Sequence, residues 1–524
     1  MIYLFYIFLL SIPLGYRVIL YQWTLGFDEY ETAFLYANDF LMLLFLSTYF
    51  LSLSKKNNFI SKIILRKNSG QENKNLQFTI YNLHLIFKSQ FSIKAYKAIS
   101  TKSQFFRSLM SQILKPLCFE DIGLRNIALS SFLFFSFITI FWATFPLLAL
   151  YNFIRLLLLV FVALTISALL KAKSLKLEVI FGILASLAIV ESLIGFLQFL
   201  FQHSLGLWWL GESLVGERII GSAKIIVEGG AVLRAYGTFP HPNVLGAFLV
   251  LGLMSLCYFW LRRPSERKMW SGWSTLKSDM VFGLGLYVVL VGLTLTFSRS
   301  TWAIAILATT ILIIYNLFIN RKYIIQTVRL TFLLLAISYI LFNSYSVFIF
   351  PRAQLSVNEP AVTYRISYDK LGLELIKNNP LGVGLGNQVI YSVKNNIYKE
   401  SGMNKVWEWQ PIHNMYLLIG AETGILGLVS FLLLVLSLFV KPKIQKLNYK
   451  QNINLKKTNW KLGGLLDLNF KYLFRFSDLD IRVFMPKLML LSLMFFGMTD
   501  HFLWTIEPGR LMFWIVLAMN FAQE

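Results

Sequence analysis

Three short stretches of the chain gather residue types that could do chemistry. The first runs from Leu233 to Asn243 as LRAYGTFPHPN, the second from Thr294 to Trp302 as TLTFSRSTW, and the third from Gln410 to Tyr416 as QPIHNMY, continuing through Gly420, Glu422, Gly424 and Gly427. Arg234 and Arg299 each present a planar fork of N–H donors matched to phosphate or carboxylate oxygens, and His413 can hold or accept a proton near neutral pH. Each stretch also has a plainer structural reading. The first would be a helix start with Pro242 in its opening turn and an interfacial arginine, the second an arginine reaching the headgroup level, the third a merely hydrogen-bonding histidine. In the second, Ser300 or Thr301 is expected to cap the next helix. If a regular helix runs on from His413, Gly420, Gly424 and Gly427 return to within about 40° of its direction, and a glycine face of that kind packs inward in a membrane.

The elements that must position these residues are membrane spans. The chain has 524 residues, 56% hydrophobic and only 14% charged, with a mean hydropathy of +0.62. That composition excludes a soluble enzyme, a disordered scaffold and a disulfide-stapled secreted domain. Apolar windows of about 19 residues begin near positions 1, 36, 127, 150, 179, 243, 281, 302, 330, 413, 486 and 508. The expected fold is therefore all-α and polytopic, a single membrane domain over 1–524 of about 12 transmembrane helices, with a larger extracytoplasmic loop of short helices at 351–412. The first apolar stretch has no basic residue before it and reads as a retained span.

Charge orients the chain. The net charge of +23 is carried by loops between spans: residues 55–125 hold 13 Lys/Arg against 3 Asp/Glu, and 441–487 hold 11 against 3. Both fall on the cytoplasmic side if the N-terminus is inside, and nucleic acid is not needed to explain the excess. The 55–125 segment reads as a basic cytoplasmic insertion lying on anionic membrane lipids. Segments 202–240 and 351–412 are near neutral and fall outside. In this orientation the helices that follow Arg234 and Arg299 and the one that starts at His413 all present their N-termini outward, where helix dipoles attract anions. An anionic ligand at the outer leaflet follows.

Weaker signals surround these. Gly382-Val383-Gly384-Leu385-Gly386 has the look of a phosphate loop but follows no strand and lacks the Lys-Ser/Thr ending, so it reads as a turn. Asp478-Leu479-Asp480 lies in a basic cytoplasmic loop without partner carboxylates. Arg365 and the pair Asp500-His501 are secondary candidates for substrate contact, and Cys118 and Cys257 suit neither a disulfide nor a thiolate metal site.

Together, RAYGTFPHPNVLGAFL from Arg234, TFSRSTW from Thr296, NPLGVGLGN from Asn379 and HNMYLLIGAETGILG from His413 resemble the O-antigen ligase and polymerase superfamily, over a core of residues 180–440. The resemblance implies a membrane glycosyltransferase of the bacterial inner (cytoplasmic) membrane, its active site facing outside. Its donor would be an undecaprenyl-pyrophosphate-linked glycan, and its acceptor a hydroxyl on a glycan, glycolipid or protein. It implies catalytic roles for Arg234, Arg299 and His413; His241, Asn243, Arg365 and Asn414 are the expected substrate contacts beside them. Neither a cofactor nor a metal is called for, because pyrophosphate is already a good leaving group. Ligase and polymerase are both open, and a flippase of lipid-linked anions is the rival from another class; against it, the motifs cluster at one face and the halves look unrelated, unlike repeat-built transporters.

Overall fold

The computed structural model describes residues 2–22, 32–68, 123–228, 230–263, 272–353, 360–439 and 480–523. Most of the expected insertion at 55–125, with Cys118, and most of the 441–487 loop, with Asp478, lie outside the described residues. Among the described residues 74% are helical. A short helix α1 (Ile2–Leu10) leads into an antiparallel hairpin of β1 (Arg17–Gln22) and β2 (Thr32–Tyr36), then α2 (Ala37–Asn68). Next come α3 (Leu124–Ile138), α4 (Pro146–Lys171) and α5 (Leu177–Phe201). A second hairpin, β3 (Lys224–Val227) and β4 (Gly230–Leu233), precedes α6 (Pro242–Leu261), α7 (Gly272–Leu295), α8 (Arg299–Ile314) and α9 (Ile324–Ala353). The chain continues through α10 (Pro360–Asn378) and the short α11 (Gln388–Lys394) and α12 (Ile397–Glu400) to α13 (Met415–Ser437). It ends with α14 (Ile481–Gly497), the single turn α15 (Phe502–Thr505) and α16 (Glu507–Phe521).

A helix stands at each of the twelve expected positions, but among the described residues seven are long and apolar enough to cross a membrane: those that begin at Leu124, Pro146, Leu177, Pro242, Arg299, Arg321 and Met415. The remaining five positions fall in α1, α2, α7, α14 and α16. Of these, α1, α14 and α16 span 9, 17 and 15 residues, and the apolar parts of α2 and α7 are Ala37–Leu53 and Asp279–Leu295.

Burial grades the bundle. In α6 the apolar window is 94% buried, whereas in Arg321–Ala353 only 11% is, so that helix turns most of its apolar surface outward. The centre is close-packed through small residues: a Cβ added to Gly252 of α6 would lie 2.1 Å from the Ala188 Cβ of α5. Pro242 occupies the first turn of α6, as expected, with His241 as its cap.

The third motif differs from the regular helix expected of it. Asn414 is the N-cap of α13, its side chain accepting from the Tyr416 and Leu417 N–H groups, so His413 precedes the helix. Gly424 then breaks α13 at φ 77°, ψ 175°, a conformation L side chains rarely adopt. The Pro380–Gly386 turn docks in the break: Val383 N–H donates to the Ala421 carbonyl (2.9 Å), Gly384 N–H to that of Glu422 (3.1 Å), and Ile425 N–H to that of Pro380 (3.0 Å). The glycines therefore do not form one continuous face with His413. The GVGLG run is a turn whose amides satisfy the orphaned helix carbonyls.

Candidate functional site

A cavity of about 1030 Å³ opens where α6, α8, α13 and α16 begin and α9 ends, and residues of β1, β2, α4 and α10 line it as well. Arg234, His241, Asn243, Arg299, Arg365 and His413 all line it; of the residues expected to touch substrate, only Asn414 does not, its side chain being used to cap α13. Asp500 and His501 line it too.

Two polar residues on α5 shape the first motif. Glu191 accepts from the Thr238 N–H (2.8 Å) and hydroxyl (2.9 Å), and Gln198 accepts from the Tyr236 and Gly237 amides while donating to the Gly237 carbonyl. The turn needs glycine at 237, where φ is 60° and an added Cβ would lie 2.4 Å from a Glu191 oxygen. So held, the buried Arg234 donates from Nε to the Thr296 carbonyl (2.6 Å) and from a terminal nitrogen to Asn243 Oδ1 (3.1 Å). Asn243 in turn donates to Asp500 Oδ2 (2.8 Å), joining the start of α6 to the segment before α15.

The second motif turns sharply at Phe297, which is fully buried at φ 45°, a strained conformation for an aromatic residue. Ser298 caps α8 by accepting from the Thr301 N–H, in place of the expected Ser300 or Thr301. Arg299 donates from Nε to the Arg352 carbonyl (2.8 Å), and Arg352 donates from Nε to the Phe297 carbonyl (3.0 Å). Arg352, at the end of α9, lines the same cavity and was not singled out in the sequence. Burial first, and the Arg352 charge second, lower the proton affinity of Arg234, so Arg234 and Arg352 share one electrostatic environment that an anion would relieve.

His413 donates from Nδ1 to the Pro411 carbonyl (2.9 Å), because a carbonyl can only accept. In the neutral ring Nε2 then carries the lone pair. The ring stacks on Tyr368 with centroids 4.8 Å apart and meets His501 edge-on at 4.9 Å. Burial pushes the His413 pKa below its ordinary value, with the Asp500 carboxylate pulling the other way. Burial likewise lowers His241 to about 3 and His501 to about 4. For Asp500, burial raises the pKa but is outweighed by His501, His413, His241 and the Asn243 hydrogen bond, leaving it at about 2. At neutral pH the site thus holds neutral imidazoles beside an ionised Asp500.

The other wall was missed in the sequence. Arg155 of α4, 5% exposed, pairs with Glu507 (2.5 Å) and Asp39 (3.1 Å) and donates to the Tyr151 hydroxyl (2.7 Å). Arg510 donates to the Trp504 carbonyl, and Trp504 to Glu422 in the broken helix. Arg17 of β1 lies over the Phe34 ring. All three arginines line the cavity. An arginine inside an apolar span, as in NFIRLLLL around Arg155, was the available signal. Among the described residues no group of three or more His, Cys, Asp or Glu side chains is placed to hold a metal ion. Asp480 caps α14 through the Arg482 N–H.

No curated protein matches the chain. Residues 284–432 match the family model described as O-antigen ligase, a stretch that carries Arg299, Arg352, Arg365 and His413, and the match supports the O-antigen ligase superfamily.

Proposed function

We propose, from this superfamily, that the protein is a glycosyltransferase of the O-antigen ligase type that moves a glycan from undecaprenyl pyrophosphate to an acceptor hydroxyl at the outer face of the cytoplasmic membrane. The observation that supports the reading best is the meeting of Arg234, Arg299 and Arg352 with a neutral His413 in one cavity. All twelve helices would belong to the membrane bundle, with 55–125 on the cytoplasmic side. The acceptor oxygen attacks the anomeric carbon as the bond from that carbon to the pyrophosphate oxygen breaks. The acceptor's proton passes to His413 Nε2, whose tautomer is set by the Nδ1–H bond to Pro411. The bond electrons leave with the pyrophosphate, whose added charge is met by guanidinium forks already held in place through their Nε groups. Asn243 and Asp500 position Arg234, while His241 and Arg365 would contact the glycan or phosphate. Asn414 acts by starting α13 immediately after His413.

Transfer from a purified undecaprenyl-pyrophosphate-linked glycan to cell-derived acceptor, assayed in proteoliposomes beside a lipid-translocation assay, tests the reading. Transfer without translocation is expected. Translocation without transfer would replace the enzyme by a flippase. Product length separates ligation of a whole glycan from repeat-by-repeat polymerisation, the alternative within the superfamily. Orientation is checked independently by single-cysteine labelling near Lys97, where an impermeant reagent should fail to react in intact cells.

A further inference from the structure

Two indoles at the cavity stand out because the structure spends buried carboxylates to hold them in the open. Trp208 is 70% exposed and Trp407 71% exposed, yet both line the cavity. Each sits on a three-residue 3-10 turn, Trp208–Leu210 and Val406–Glu408, and each turn is pinned by a glutamate that is only 7% exposed. Glu212 accepts from the Leu205 N–H (2.7 Å), the Leu207 N–H (2.6 Å) and Gln198 Nε2 (2.7 Å). The turn it fixes also abuts the N-terminal segment, where a Cβ on Gly211 would lie 2.3 Å from the Gly15 nitrogen. Glu408 accepts from the Lys405 N–H (3.0 Å) and the Tyr364 hydroxyl (2.7 Å), and its carbonyl accepts from Tyr368 (2.6 Å). Lys405 Nζ lies 5.5 Å from the Trp407 ring centre.

Plain interfacial anchoring does not account for this arrangement. Trp209, 59% exposed on the same turn, does not line the cavity and remains available for interfacial anchoring. Trp208, its neighbour, lines the cavity instead. The two cavity indoles also sit on separate turns: Trp208 on the turn whose Gly211 packs against Gly15, Trp407 on the turn whose Glu408 is bonded by Tyr364 and Tyr368. Exposed flat indoles in an arginine-lined cavity of mixed polar and apolar lining fit a ligand with both hydroxyls and an apolar face, which is the chemistry of a pyranose ring. The cavity, about 1030 Å³, is far larger than one pyrophosphate requires.

We propose that Trp208 and Trp407 are saccharide platforms, one on each side of the reaction centre, stacking on sugar rings of the two glycans that the cavity brings together. This deepens the glycosyltransferase reading and rests on it for the identity of the glycans.

The probe is a set of phosphate-free oligosaccharides released by mild acid from the surface polysaccharide of the cells that make the protein, titrated calorimetrically into the detergent-purified full chain. Saturable binding is expected, weakened about 2- to 10-fold by Trp208→Ala or Trp407→Ala and further by the pair, with Trp209→Ala unchanged. Where an alanine variant fails to fold, Leu and Phe at the same positions decide: Phe keeps a ring and should retain binding, Leu should lose it. No saturable binding by the wild-type protein, or equal affinity in the double variant, overturns the platforms. Glycan transfer by the wild-type protein is scored separately. Transfer with no effect of the tryptophans sinks the platforms alone, whereas saccharide binding that depends on them without transfer leaves the platforms and removes the enzyme reading.

Discussion

Neutral imidazole is the useful form of His413, and the residues around it keep it so. Burial lowers His413, His241 and His501 despite the ionised Asp500 at their centre. The sign of the stability effect follows: groups that hold protons more weakly when folded than in solution, where histidine titrates near 6.5, favour the folded state above that value and withdraw the benefit as pH falls through it. For His501 the loss runs from about pH 6.5 down to about 4. Thermal inactivation temperature should therefore drop between pH 7 and pH 5, and His501→Gln should flatten the drop. An unchanged slope in that variant would show that His501 is not buried in its neutral form. Transfer should fall only on the acid side, with its midpoint below the value near 6.5 of an ordinary imidazole, since burial lowers the His413 pKa. His413→Gln keeps a hydrogen-bonding group but cannot take the proton, and is expected to lower kcat about 10²- to 10⁴-fold with donor binding retained. Near-normal turnover would leave His413 only a binding role. Arg352→Lys should weaken donor binding despite the retained charge, because an ammonium reproduces neither the fork nor the Nε bond to Phe297. Donor affinity equal to wild type would remove Arg352 from the pyrophosphate site.

At the scale of elements, what the sequence revealed was local and what it hid was tertiary. Pro242 at the head of α6 and the apolar spans could be read directly, since proline geometry and hydrophobic length act within a few residues. The break in α13 could not, because Gly424 departs from the helix only where the turn from Pro380, distant in sequence, supplies amides for the Ala421 and Glu422 carbonyls. Arg234, Arg299 and His413 were found through their motifs, whereas Arg352 stands in no motif and is recognised only by its exchange of backbone hydrogen bonds with the Arg299 turn. The break makes its own prediction. A Cβ at residue 424 would meet the Leu381 backbone carbon at 2.6 Å in a conformation that already disfavours side chains. Gly424→Ala should displace the docked turn and cost about 1–3 kcal/mol, measurable as reduced thermal stability in detergent. Wild-type stability would mean that the docked geometry is not maintained.

Among the described residues, a buried ion cluster ties distant parts of the chain together. Arg155 of α4 joins Asp39 of α2 to Glu507 of α16, so the first and last parts of the chain meet across a single guanidinium. Their side chains are almost wholly buried, and Arg155 also donates to Tyr151 and to the Phe34 carbonyl, which bonds the hairpin to the same point. Desolvation offsets much of the attraction in such a cluster, so its value lies in fixing which helices adjoin; taking out one member is another matter. Arg155→Met would leave two carboxylates buried together with no cation between them. It should cost about 3–5 kcal/mol of stability. The triple variant Arg155→Met, Asp39→Asn, Glu507→Gln removes the stranded charges and should recover most of that loss. Thermal unfolding of the three proteins in the same detergent separates the possibilities. A single variant as stable as wild type would mean that the cluster does not tie the termini, while a triple variant no better than the single would assign the loss to packing of the arginine stem rather than to charge.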